Sequence, residues 1–269
     1  MGISNAVLAH EFKNTRKISK KGGLLVPFQT EVIDFWDYRK IADKNAETTL
    51  RPDNWGHYPR QIIIANDDTF NYCRMTNFEE TPLVLNFANP CYPGGGVLKG
   101  SIAQEEDLCR KSNLYESLVS KEAREYYYTN RISEMPFKEN NAILTRRVSI
   151  FKDNEFNICP PKIVDVLTIA APKLTEDDVN DPAEKYKLTL YQRLRMILDI
   201  AEYHQYHELV LGAFGCGVFK NKPIVVANGF RRMMSQGLYH FDKVHFVIKV
   251  TKAKDCATYS TFCDVFKNN

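Results

Sequence analysis

Two adjacent carboxylates, Glu105 and Glu106, follow three consecutive glycines, Gly94, Gly95 and Gly96, in the stretch LVLNFANPCYPGGGVLKGSIAQEEDLCRKSNLYESL (83–118). Glycine permits positive φ and close approach of a ligand, so a short run of them can aim successive N–H groups at one anion, such as a diphosphate. Carboxylates beside such a cradle repel what it binds, so their contribution lies elsewhere, and general acid catalysis fits. Desolvation and a neighbouring diphosphate both raise a glutamate's pKa, and a glutamate protonated near neutral pH can donate a proton. On local grounds the same pair also reads as acids that a helix dipole favours at an N-terminus.

The elements that must position these groups are a strand and a helix. Leu83 to Phe87 reads as a short buried strand, broken at Asn89-Pro90 and Pro93. A helical segment is expected from Ala103 to about Asn130, with Leu108, Leu114, Leu118 and Val119 as its apolar positions and Tyr126, Tyr127 and Tyr128 near its end. A second glycine segment, GAFGCGVFKNKP, places Gly212, Gly215 and Gly217 where another strand gives way to a helix after Lys222-Pro223. Open α/β sheets put their ligands at such strand ends, and helix N-terminal amides favour phosphate. A tight turn needed for packing explains the same glycines equally well.

Rival motifs fail at specific positions. A dinucleotide-binding GxGxxG from Gly215 needs glycine where Lys220 stands, and a P-loop from Gly95 reaches Gly100 but meets Ser101 where lysine is required. HExxH is absent, and His204 and His207 lack a matching carboxylate cluster, so no metal site is expected there. Cys109 and Cys216 have no histidine placed by sequence to activate them and read as structural.

The chain of 269 residues, 44% hydrophobic, can bury a substantial core. A net charge of +3 lacks the concentrated positive field of a general nucleic-acid binder but leaves an acidic polymer open as substrate. Seven cysteines without CxxC spacing argue for a reducing compartment, and no apolar run approaches the roughly 20 residues that span a bilayer. The expectation is a cytoplasmic monomer with no membrane association.

Along the chain, residues 1–25 read as a surface helix with a basic, solvated face, and Thr30–Leu50 as one or two helices ending before Arg51-Pro52. IIIAN from Ile62 and TFNYCRM from Thr69 read as short β-rich segments, AILTRRVSIFK (142–152) as an exposed strand and KIVDVLTIAAP (162–172) as a buried one. A long helix is expected from Pro182 to His204 with Leu188, Tyr191, Leu194, Leu198 and Ala201 on one stripe. HELVLGAFGCGVF (207–219), a helix from Pro223 to about Gln236, VHFVIKV (244–250) and a short helix around Tyr259–Phe266 follow. This alternation predicts a three-layer α/β/α fold with a mixed central sheet. An N-terminal helical accessory segment (1–60) would precede one compact core (61–269).

The combination NFANP…PGGG…QEE, continued by AQEEDLCRKSNLY, resembles the signature of poly(ADP-ribose) glycohydrolases of the microbial type. The resemblance implies a macrodomain with a helical layer ahead of it, and hydrolysis of ribose–ribose O-glycosidic bonds in poly(ADP-ribose) or ADP-ribosylated macromolecules, with ADP-ribose as product and no cofactor. Glu106 matches the family's acid, which protonates the leaving ribose oxygen and then activates water. Glu105 matches the residue that bonds ribose hydroxyls, and Asn89 the one that fixes the terminal ribose. Gly94, Gly95, Gly96 and Gln104 fall with the substrate-binding residues. Gly215, Cys216, Gly217, Val218 and Phe219 match the loop that wraps the diphosphate, the phenylalanine packing on the sugar. A hydrolase of single ADP-ribose units and a non-catalytic reader of ADP-ribose share these loops, the reader needing neither glutamate.

Overall fold

Alternating apolar strands and amphipathic helices build a mixed α/β structure, here in a computed structural model that describes residues 3–21, 25–49, 56–135, 138–174, 184–236 and 238–267. The expected helix stop at Arg51-Pro52 and helix start at Pro182 lie outside those residues. Seven strands, β1 (Gln29–Ile33), β2 (Gln61–Ala65), β3 (Leu83–Phe87), β4 (Ala142–Lys152), β5 (Ile158–Ile169), β6 (Glu208–Leu211) and β7 (Lys243–Val247), form a sheet of order β1-β4-β5-β3-β6-β7-β2. Its β1-β4-β5 part is antiparallel, while β3-β6, β6-β7 and β7-β2 are parallel.

The chain forms two compact units. Unit 1 comprises residues 1–33, 69–77 and 86–170, and unit 2 comprises 34–68, 78–85 and 171–269. Residues 1–60 are thus shared between the two.

In unit 1, helix α1 (Asn5–Lys20) is capped by Ser4 and buries Leu8, Phe12 and Thr15, three and four apart as a helix requires. The segment after it differs from the helices expected, because Gln29–Ile33 pairs antiparallel with β4. TFNYCRM is also not a strand. It forms α3 (Thr69–Met75), whose buried Phe70 and Cys73 stand at helical spacing. The expected helix from Ala103 to Asn130 is three helices, α4 (Gln104–Lys111), α5 (Leu114–Leu118) and α6 (Arg124–Ile132). The first break has a clear cause: Ser112 turns extended and bridges to Ile150, while the Asn113 side-chain oxygen accepts the Ser149 N–H at 2.8 Å. Strand β4 is buried rather than exposed, apart from Arg146 and Arg147. Two of its polar residues find partners inside: Thr145 bonds the Ser117 hydroxyl at 2.6 Å and Lys152 the Glu11 carboxylate at 3.2 Å. A bulge interrupts its register, where Arg147 takes φ 66° and donates its N–H to Asp165 at 2.8 Å.

In unit 2, α2 (Phe35–Thr49) packs on the long helix α7 (Glu184–Tyr203). Of the expected α7 stripe, Leu194, Leu198 and Ala201 are buried, but Leu188 is 60% exposed. Helix α8 (Pro223–Met234) begins with proline, and α9 (Ala253–Phe266) packs against it. Phe246 of β7 stacks on Phe266 of α9 with ring centroids 4.8 Å apart.

Candidate active site

The carboxylate pair sits on the first turn of α4, and the rest of that helix is held so that the turn cannot wander. Arg110 and Lys111 are 1% and 2% exposed, unusual for long cations, and both are tied down. The Arg110 guanidinium donates to the Ser101 carbonyl at 2.6 Å, while Lys111 reaches Asp107 at 2.6 Å and Asn154 at 2.7 Å. From α1, the Thr15 hydroxyl donates to the Arg110 carbonyl at the helix's far end. Gln104 joins strand to helix: its side-chain oxygen accepts the Phe87 N–H at the end of β3 (2.8 Å), and its amide nitrogen lies 3.4 Å from the Thr69 hydroxyl of α3.

Glu105 is 3% exposed. One oxygen accepts the Asn89 N–H at 2.8 Å and the other the Asn86 side-chain amide at 3.4 Å, with a further bond from the Gly94 backbone. Burial pushes its carboxyl up to about 8, reinforced by Glu106 and opposed by the three hydrogen bonds. Near neutral pH it therefore carries a proton. Glu106, 7% exposed, is held by one oxygen only: Oε1 accepts the Gly96 N–H at 2.8 Å, whereas Oε2 is buried and has no hydrogen-bond partner.

The glycine loop is shaped to these carboxylates. Gly95 has φ 55°, and a Cβ there would lie 2.5 Å from Glu106 Oε1 and 3.2 Å from Glu105 Oε2. Only a residue without a side chain lets both acids converge on the backbone. The loop amides, which the sequence suggests would aim at an external anion, here include donors to the protein's own carboxylates. Asn89 spends its side-chain oxygen on the turn itself, accepting the N–H groups of Cys91 and Tyr92 at 2.9 and 3.0 Å. Beneath the pair, the fully buried Cys109 thiol is raised well above its ordinary range by burial and by both glutamates, which suits a packing role and not a nucleophile. Tyr126 and Tyr127 are buried, and Tyr128 is exposed.

Asn89, Gly94, Gly95, Gly96, Gln104, Glu105 and Glu106 are thus brought together within unit 1. Two further residues escaped the sequence reading. Asn86, wholly buried in an otherwise apolar strand, bonds both Glu105 and the Thr168 hydroxyl, and its side-chain oxygen has no partner. A lone asparagine inside LVLNF is the signal that could have found it. Tyr115 lies against Gly94, and nothing in local spacing announces that contact.

The second glycine turn belongs to unit 2. Gly215 has φ 72°, and a Cβ there would overlap the Asn221 side-chain amide and reach within 2.5 Å of Ala171. Asn221 cross-braces the turn, donating to the carbonyls of Gly215 (3.0 Å) and Pro172 (2.9 Å) and accepting the Tyr186 hydroxyl at 2.6 Å. The Phe219 carbonyl accepts the Leu174 N–H at 3.0 Å, and Cys216 lies half-buried with its thiol 3.7 Å from the Phe214 carbonyl. Gly217 and Val218 face outward, and a Cβ on Gly217 would meet nothing within 4 Å. Among the described residues, no group of three or more His, Cys, Asp and Glu could hold a metal ion.

Residues 14–153, which include the loop and both glutamates, match the family model of the microbial-type PARG catalytic domain. The chain belongs to this family of poly(ADP-ribose) glycohydrolases. Solved structures extend the likeness to nearly the whole chain. Poly(ADP-ribose) glycohydrolase from Thermomonospora curvata is 26% identical, with 97% of this chain and 100% of that one covered and a TM-score of 0.83. The same enzyme is also known bound to the inhibitor ADP-HPD. The enzyme from Deinococcus radiodurans in complex with ADP-ribose is 30% identical, with coverages of 95% and 97% and a TM-score of 0.77. The mixed α/β fold expected from the sequence agrees with these structures, as does a macrodomain. No curated protein matches the chain.

Proposed function

We propose that this glycohydrolase cleaves the ribose–ribose O-glycosidic bond of poly(ADP-ribose) and releases ADP-ribose, with Glu106 as acid and then base. The observation that carries the assignment to Glu106 is its asymmetric hold: Gly96 pins one oxygen, and the buried second oxygen has no protein partner. A buried polar atom without a partner costs free energy unless a substrate atom completes it, so this oxygen is the one that exchanges a proton with the substrate. The protonated carboxyl gives its proton to the leaving ribose oxygen as the glycosidic C–O bond breaks, leaving an oxocarbenium-like centre. The carboxylate then takes a proton from water as that water's oxygen bonds to the anomeric carbon.

Glu105, neutral near pH 7, can donate its proton in a hydrogen bond to a ribose hydroxyl. Gln104, Asn86 and the loop amides orient the pair, and Asn89 holds the turn that leads into the loop. The Gly215–Phe219 turn supplies backbone contacts to the diphosphate, a role supported by its outward-facing Gly217 and Val218.

The test is to incubate wild type and Glu106→Gln with poly(ADP-ribose) and with mono-ADP-ribosylated protein and DNA. The expected result is ADP-ribose released from polymer by wild type, with the variant binding polymer but releasing nothing. Release from mono-modified targets alone would redirect the substrate, and binding without release by wild type would make the chain a reader.

A further inference from the structure

The geometry points to Tyr115 as a positioning residue for the carboxylate pair, a wedge through which α1 sets the conformation of the glycine loop. This inference rests on the glutamate roles proposed above.

Tyr115, on α5, is 8% exposed, and its ring edge lies flush against Gly94: a Cβ on that glycine would come 2.7 Å from Cδ2 and 3.0 Å from Cε2. Gly94 is the residue whose backbone bonds Glu105, and the next residue, Gly95, is the one on which both carboxylates converge. The ring is backed from α1 by two side chains. Phe12 meets it edge-on with centroids 4.7 Å apart at 80°, and the Arg16 guanidinium lies 4.8 Å above its centroid. Arg16 is itself fixed by Glu116, the neighbour of Tyr115, at 2.7 and 3.4 Å. The same helix touches the other end of the loop, where the Asn5 carbonyl fills the space a Gly100 side chain would need.

The consequence is mechanical. A loop with left-handed Gly94, Gly95 and Gly100 has few steric constraints of its own, so the surface it packs on selects one conformation from many. Tyr115 is that surface on the Gly94 side. A displacement of about 1 Å there moves the amides of Gly94 and Gly96 off the glutamate oxygens, and misplacement on that scale can cost roughly 100-fold in rate. The ring acts by shape, so its hydroxyl is dispensable and the phenylalanine variant suffices.

The experiment compares wild type, Tyr115→Phe, Tyr115→Leu, Arg16→Met and Glu106→Gln in hydrolysis of poly(ADP-ribose), with ADP-ribose affinity and thermal midpoint measured alongside. Expected are a kcat within about twofold of wild type for Tyr115→Phe, and one lowered roughly 10- to 100-fold for Tyr115→Leu. The fall would leave KM and ADP-ribose affinity within about threefold, and the pH–rate profile would shift because the bonds to Glu105 change. Should Tyr115→Leu fail to fold, the half-exposed Arg16→Met decides: a severalfold fall in kcat at unchanged affinity supports the wedge, and a wild-type kcat overturns it. A folded Tyr115→Leu with wild-type kcat and pH profile overturns it as well. An active Glu106→Gln would instead remove the acid assignment on which the inference stands, a separate failure.

Discussion

The two glycine turns look alike in sequence and differ in what their glycines are for. In Gly94–Gly96 the space is already taken: Tyr115 abuts Gly94, both glutamates crowd Gly95, and the Gly96 N–H is bonded to Glu106. In the second turn Gly215 is hemmed in by Asn221 and Ala171, while a Cβ on Gly217 would meet nothing within 4 Å. The first loop packs against the two carboxylates, and its glycines answer to the protein. The second is a braced turn with an outward-facing tip, and no neighbouring atom requires a glycine at that tip.

The sharpest way to break this contrast is a methyl group in each place. Gly95→Ala is expected to cost about 2–4 kcal/mol, from overlap with two carboxylates plus a left-handed backbone that alanine resists, and to lower kcat at least about 100-fold. Chemical denaturation and steady-state kinetics on the purified variant check both numbers, and a variant with wild-type stability and turnover would mean that the carboxylates do not converge on the loop.

A smaller effect tests the buried proton. Because burial holds Glu105 at about 8 in the folded chain against an ordinary 4.5, the folded state binds its proton more tightly than the unfolded state. The stability this group contributes is complete below about 4.5 and is lost as pH climbs towards 8, by on the order of a few kcal/mol. Glu105→Gln has no proton to lose there. Its stability relative to wild type should therefore improve from pH 5 to about pH 8 and level off above it, and parallel stability curves would show that residue 105 does not titrate in this window.

The mildest change belongs at the open tip. Gly217→Ala should leave the thermal midpoint unmoved, since its methyl meets nothing, and weaken ADP-ribose about 10-fold if backbone and ligand approach closely there. Calorimetric titration reads the affinity, and an unchanged value would take the diphosphate role away from this turn.

Legibility in the sequence followed the reach of each interaction. The short strand Leu83–Phe87, the glycine run and the glutamate pair were readable because strand, turn and helix start are neighbours in the chain. What the loop amides face was not readable, since glycines announce freedom of direction but not the direction taken. Asn86, Tyr115 and Asn221 stayed hidden because most of their partners, Thr168, Phe12, Arg16 and Tyr186, lie 35 or more residues away or carry no spacing signal. TFNYCRM was misread from its β-prone residues, although Phe70 and Cys73 already stood three apart. Strand β4 reads as exposed from its sequence because Thr145 and Lys152 look solvent-facing until Ser117 and Glu11 are found beside them.

In the mechanism we propose, Glu106 carries the proton between substrate and water. A single-turnover assay at saturating enzyme, following ADP-ribose release from poly(ADP-ribose) by wild type and Glu106→Gln, tests it with binding and chemistry separated. Expected are rapid single-exponential product release by wild type and a rate about 100-fold or more lower in the variant at retained polymer affinity. Release by Glu106→Gln at the wild-type rate would contradict it.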